Sequence, residues 1–252
     1  MGNADSGNGG RPYRGLSPLE RRADRRRRLL DAGLELFGSA GYSNTSIEQI
    51  CSFARVTTRH FYEEYGSREE LLKAVYVEVV AHSSRKIIEA LDNTPNEMTA
   101  RIRSGVDAFV RSMLDDPRHA RVFCVEVVGV SPEMEIHRRS VLHLFAQVVQ
   151  QQSDSLRANG QVTFPEGMNF TYTTLALVGG TTELITEWVM GGQRLPVCDI
   201  VEELVWLYTT IGVTMLGIDP ATVETELLRP KSRRTPARGS QLLTSIVMNS
   251  SE

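Results

Sequence analysis

The chain has 252 residues, of which 41 % are hydrophobic and 7 % aromatic, and a formal net charge of −3. That is enough apolar chain for a sizeable core, in one large domain or in a small one plus a larger one. No apolar run approaches the roughly 20 residues of a membrane span, and the first fifteen residues lack the apolar segment of a secretory leader. Cys51, Cys124 and Cys198 are odd in number and far apart. They read as small reduced side chains in a cytoplasmic protein, with no disulfide framework and no metal site.

Charge is unevenly placed. Residues 1–28 hold eight arginines against three carboxylates, and residues 229–252 hold five basic side chains against one acidic. The stretch between them is acidic. Basic arms on an acidic body suit either local contact with a polyanion or two solvated tails.

In chain order, residues 1–18 are rich in Gly, Asn, Pro and Ser and are expected to be a disordered arm. From Leu19 a first helix begins, with Leu29, Leu30, Gly33, Leu34 and Phe37 as its apolar stripe. Its first turns carry Arg21, Arg22 and Arg25 to Arg28. Thr45 or Ser46 caps a short second helix, with Glu48 or Gln49 completing a capping box, ending near Phe53 or Ala54. "RVT" is a turn, and Thr57 caps a third short helix. Ser67 and Glu70 open a fourth helix, running from Arg68 to about Ala90. Further helices are expected at 97–115, 118–129, 132–157, 165–190 and 197–216, about nine in all. Residues 230–252 are expected to be a disordered basic tail.

Two short helices joined by a tight turn, inside a three-helix unit, form a helix-turn-helix. Its second helix offers its first residues to the major groove, here Thr57, Thr58, Arg59 and His60. Tyr62 falls on the outward face, where its hydroxyl suits a phosphate. Arg68 suits the backbone beside the start of the fourth helix. Thr45, Ser46 and Arg55 are further phosphate candidates, and Arg25 and Arg28 supply electrostatics. Each has a plain alternative: a cap for Thr45, Ser46 and Ser67, packing for Tyr62, and a solvated face for His60 and the arginines.

Residues 25–75 resemble the DNA-binding region of the TetR family of transcriptional regulators. The resemblance rests on "LLDAGLELF", "GY", "TSIEQI", "RVT", "FY", "Y" and "SREELL", in that order and spacing. It implies an all-α chain, with a helix-turn-helix domain over 19–67 and a ligand-binding and dimerisation domain over 68–229. It also implies a homodimer that binds operator DNA and is released by a small, mostly apolar effector, with no cofactor and no catalysis. Arg55 stands where the family usually has glycine, and Arg59-His60 where it usually has Gly-Thr. A ligand-independent or activating regulator is the alternative. A helical enzyme or lipid carrier that uses the motif for protein contacts is a further one.

In the larger half, polar side chains on apolar faces are the ligand candidates: Glu126 with Phe123, then His137 and Tyr172. Core lining gives the same periodicity. Leu184, Trp188, Leu204, Leu207, Tyr208 and Ile211 exceed what one stripe needs. They are expected at a dimer interface, with the protomer's own core as the alternative. No phosphate loop, nucleophile elbow or paired metal-binding histidines occur.

Overall fold

The computed structural model describes residues 17–160 and 170–215. The expected disordered arm, except its last two residues, lies outside the described residues. So do Pro165 at the start of a helix, Leu216 at the end of the last helix and the whole basic tail. Among the described residues there are nine α-helices and one π-helical turn, and no strands.

The first helix, α1 (Pro18–Ser39), starts at a capping box in which Ser17 and Glu20 exchange hydrogen bonds. α2 (Ile47–Ala54) starts at a second, in which Ser46 pairs with Gln49, which settles the choice left open by the sequence. Ser17 and Ser46 thereby satisfy donors that would otherwise be orphaned at a helix start. Thr57 caps α3 (Thr58–Glu64) by accepting from the His60 amide. Ser67 caps α4 (Arg68–Asp92), and its hydroxyl accepts from the Glu70 amide. The Glu70 carboxylate reaches Gly66 N–H at 2.8 Å instead of the cap residue.

Between α2 and α3 the chain turns at Arg55, which holds φ 53° and ψ 46°. Arg28 crosses from α1 to support that turn, donating to the carbonyls of Ala54 and Arg55 at 3.0 and 3.1 Å. Phe37, Ile50, Phe61 and Tyr65 close the small core beneath it, as the spacing requires.

α4 leads into the larger domain, which continues with α5 (Met98–Leu114), α6 (Pro117–Arg121), α7 (Pro132–Ala158), α8 (Phe170–Met190) and α9 (Val197–Met215). The helix expected over 118–129 changes winding at Val122 and continues as the π-turn Val122–Glu126. α4 packs on α5 and α1, α7 on α8, and α5 on α9, while α6 lies across α1. Buried side chains run from Leu29 to Val205 as one continuous cluster.

The left-handed geometry at Arg55 costs a side-chain-bearing residue about 1–2 kcal/mol. Arg55→Gly is therefore expected to stabilise the fold by roughly 0.5–1 kcal/mol, after allowance for the freedom of glycine in the unfolded chain. Urea unfolding of both proteins measures this. A loss of stability would show that the Arg55 side chain itself holds the turn.

Candidate nucleic-acid interface and ligand cavity

The outer face of the helix-turn-helix carries Arg55, Thr57, Thr58, Arg59 and Tyr62 as exposed side chains, with His60 half-buried. Thr57 Oγ1 lies 3.0 Å from His60 Nδ1, and Arg59 Nε donates to Glu63 at 3.1 Å. Tyr62 is 56 % exposed although its ring meets Phe61 edge-on, so its hydroxyl points away from the core. These residues lie in the turn and the first two turns of the motif's second helix. Hydroxyls, a histidine and an arginine are what base edges and phosphates accept.

Other candidates are placed inside the domain. Thr45 is buried, and its hydroxyl donates to the Gly41 carbonyl at 2.8 Å. Arg68 donates to the Thr45 carbonyl and lies 4.3 Å from the centroid of the Tyr42 ring. Arg28 is held by Asp24 at 2.9 Å as well as by the turn. Arg25 pairs at 3.7 Å with Glu64, whose side chain is 1 % exposed and also receives Arg22 at 3.0 Å. Ser46 is half-buried and occupied with its capping box. Thr45, Arg28 and Arg68 thus tie the helices of the motif together, because each finds a backbone carbonyl that the turns leave unpaired.

In the larger domain an apolar cavity of about 140 Å³ lies between α4, α5, α7, α8 and α9. Ile87, Ile102, Phe109, Phe145, Val178 and Ile211 are among its walls. Two polar pairs face it. Arg101 Nε donates to Gln152 at 2.8 Å, and the Tyr208 hydroxyl lies 3.0 Å from Thr181 Oγ1. Burial pushes the Tyr208 phenol up to about 12, so it stays a neutral donor and acceptor at physiological pH.

Residues 29–75 match the model of the bacterial regulatory proteins of the tetR family. Those residues thus carry a DNA-binding domain of the TetR type. No curated protein matches it in sequence. Among solved structures it resembles the fatty acid degradation regulator FadR from Bacillus halodurans, with TM-score 0.66 and 16 % identity, over 77 % of this chain and 96 % of that one. It also resembles FadR from Bacillus subtilis in complex with stearoyl-CoA, with TM-score 0.63 and 17 % identity, over 72 % and 96 %. A third is a putative TetR-family transcriptional regulator from Syntrophomonas wolfei, with TM-score 0.65 and 17 % identity, over 78 % and 99 %. At such identities the likeness is one of fold.

Within this TetR-type fold the four ligand candidates do not converge, and none lines the cavity. Phe123 and His137 meet on the buried Tyr76 ring, at 5.5 and 5.6 Å, in the wall between α4 and α7. Glu126 faces the DNA-binding domain, where it accepts from Tyr42 N–H at 2.6 Å and from Arg121 at 2.8 Å. Tyr172 is 70 % exposed on the outer side of α8. Periodicity gives these residues an apolar face without revealing which neighbour covers it. It does not single out Arg101, Gln152, Thr181 or Phe109. Arg101 and Gln152 look like solvated charge and amide in sequence, and their pairing joins positions 51 residues apart.

The dimer candidates are also redistributed. Leu204 is 1 % exposed within a single protomer, Trp188 is buried with its indole N–H on the Leu195 carbonyl, and Tyr208 and Ile211 line the cavity. Leu204 and Trp188 pack the protomer's own interior, which is the alternative that their apolar character leaves open, while Tyr208 and Ile211 are half-buried at the cavity. Leu184 and Leu207 are half-buried. The outward face of α8 carries Tyr172, Ala176, Gly180, Glu183 and Glu187.

Three substitutions separate surface from scaffold. Tyr62→Phe is expected to weaken binding to selected and random duplexes by similar factors, as loss of a phosphate contact does. Arg59→Ala should cost about 1–3 kcal/mol on the preferred site and relax one base pair per half-site. Arg68→Ala should instead lower stability by about 1.5–3 kcal/mol, the scale of a hydrogen bond from a charged donor, without changing the salt slope of DNA binding. Titrations at several salt concentrations, with denaturation of the same samples, distinguish the three patterns.

Proposed function

We propose that the protein is a homodimeric, ligand-responsive repressor in the cytoplasm, acting by binding rather than by catalysis. In this reading Arg55, Thr57, Thr58, Arg59, His60 and Tyr62 meet operator DNA, and a mostly apolar molecule enters the cavity. The domain division near residue 67 belongs to the same reading.

The observation that carries it is that α4 links the two sites. This helix begins at the helix-turn-helix and supplies Ile87 and Leu91 to the cavity wall. A ligand that spreads the cavity therefore acts on an element shared with the DNA-binding unit. Contacts continue the path. Phe109 and Phe145 meet Phe123 at 6.2 and 6.0 Å between ring centroids, and Phe123 sits in the π-turn that ends at Glu126, against Tyr42.

An acyl chain fits the apolar walls, with the Arg101–Gln152 pair suited to a polar or anionic head. One FadR of similar fold is in complex with stearoyl-CoA. A cavity of about 140 Å³ holds a benzene-sized group. A long chain therefore has to part the helices, and that expansion is the differential interaction a switch requires.

The test is titration of the protein–operator complex with acyl-CoA thioesters of graded chain length. Release that grows with chain length is expected. Gly105 lines the cavity, and a Cβ there meets Leu91 Cδ2 at 3.7 Å, which is ordinary contact. Gly105→Leu is expected to fold, bind operator and lose the response. Retained release in this variant would move the ligand elsewhere.

For the dimer, the outward face of α8 replaces the interior residues. Around Gly179 and Gly180 a Cβ meets nothing within 4 Å, so the backbone there is open to a close approach. Gly180→Arg should improve helix propensity by up to about 1 kcal/mol yet block that approach. Sedimentation should show folded monomers with only weak, non-specific DNA affinity. A dimer with full operator affinity would place the interface on another face.

A further inference from the structure

The segment from Ala54 to Leu72 holds four glutamates against three arginines and a histidine, an unusual balance for a surface meant for DNA. Three of the four have clear posts. Glu64 is enclosed by Arg22 and Arg25 of α1. Glu69 accepts from the Ser131 hydroxyl at the start of α7. Glu70 accepts from Gly66 N–H. Of these four glutamates, Glu63 is the one whose ion pairs stay within its own helix. It is exposed and lies 3.1 Å from Arg59 Nε and 3.9 Å from His60 Nε2. Arg59 itself is 87 % exposed. An exposed carboxylate paired with Arg59 adds nothing to the core and opposes a polyanion.

We propose that Glu63 is a specificity-determining residue, which orients the Arg59 guanidinium and penalises duplexes that offer that arginine only phosphate. The inference rests on reading α3 as the helix that enters the major groove. With Nε held by Glu63, the two terminal nitrogens of Arg59 remain as a fork for guanine O6 and N7. On a guanine the ion pair is kept. On a random duplex, Arg59 must swing to the backbone and leave Glu63 unpaired in the field of the phosphates. The carboxylate therefore subtracts more from non-specific than from specific affinity, which widens their ratio.

The experiment is selection of bound duplexes from a randomised pool by the full-length wild type, Glu63→Gln, Arg59→Ala and the double variant. Affinity for one fixed random duplex is measured for each. Circular dichroism checks the fold, which an exposed side chain bonded only to its own helix is not expected to disturb. For Glu63→Gln the expected results are two- to fivefold tighter binding to the random duplex, about the scale of one screened charge interaction, and a guanine preference weakened about fivefold or more at one position per half-site. In the Arg59→Ala background the same change should leave the preference profile unmoved, because Glu63 acts through Arg59. If the wild type enriches a motif and Glu63→Gln enriches it equally, with equal random affinity, the proposal falls and the reading of α3 stands. An effect on preference that persists without Arg59 also overturns it, since Glu63 would then read bases itself. If the wild type enriches no motif, the reading of α3 fails and the proposal with it.

Discussion

The close crossing of α1 against α4 and α6 is the constraint on which the rest of the molecule depends. A Cβ on Gly33 would stand 2.8 Å from Val75 Cγ2 of α4, and one on Gly38 would stand 2.5 Å from Arg118 Cβ and 2.9 Å from Arg118 Cα. No side chain fits at Gly38 without moving the α6 backbone. Because the helices approach so closely, short polar links become possible. Arg118 pairs with Glu35 of α1, Arg121 donates to the Ser39 carbonyl at 2.9 Å, and Glu126 takes Tyr42 N–H. Two glycines that weaken α1 as an isolated helix are what let the DNA-binding unit seat on the larger domain.

The same economy governs charge. α1 begins with a dense arginine run, yet much of it is neutralised within the fold. Arg22 and Arg25 hold Glu64, Arg27 and Arg28 meet Asp24, and Arg26 lies 4.9 Å from the Tyr65 ring centroid. Asp116, beside Arg118, titrates below the usual carboxylate range, chiefly through the hydrogen bond from that guanidinium. The domain thus spends part of its positive charge on joining helices. On the proposed reading, the outward face then relies on hydroxyls, Arg59 and the geometry of the motif rather than on net charge.

Much of this is legible in local chemistry alone. Caps at Ser46, Thr57 and Ser67 are readable because a hydroxyl three residues before a free amide has one obvious use. The inward set Phe37, Ile50, Phe61 and Tyr65 and the outward Tyr62 follow from helical period alone. What is not legible depends on pairs distant in sequence. Nothing local marks Arg68 for the Thr45 carbonyl rather than a phosphate, since either acceptor satisfies a guanidinium. Glu126 reads as a polar group on an apolar face, but its partner is the Tyr42 amide, 84 residues away. Leu204 reads as one position of an apolar stripe in sequence, and only the packing of α9 on α5 tells that it faces inward. The π-turn at Val122 has no sequence signal that we can identify.

These features bear on how a ligand would act. A rigid-body response needs a seam that has two packings, and the polar seam at Glu126, Arg121 and Arg118 is better suited to that than the apolar core. Apolar contacts weaken gradually over area, whereas a hydrogen bond is lost over a fraction of an ångström. Parting α5 from α7 around Phe109 and Phe145 displaces Phe123, and with it the turn that carries Glu126. A ligand must favour the parted state by about 2.7 kcal/mol to lower operator affinity a hundredfold. Burial of three or four methylenes of an acyl chain, at roughly 0.8 kcal/mol each, is enough. On the proposed reading, the sensitivity of the switch is then set less by the head group at Arg101 than by how many carbons the opened cavity covers.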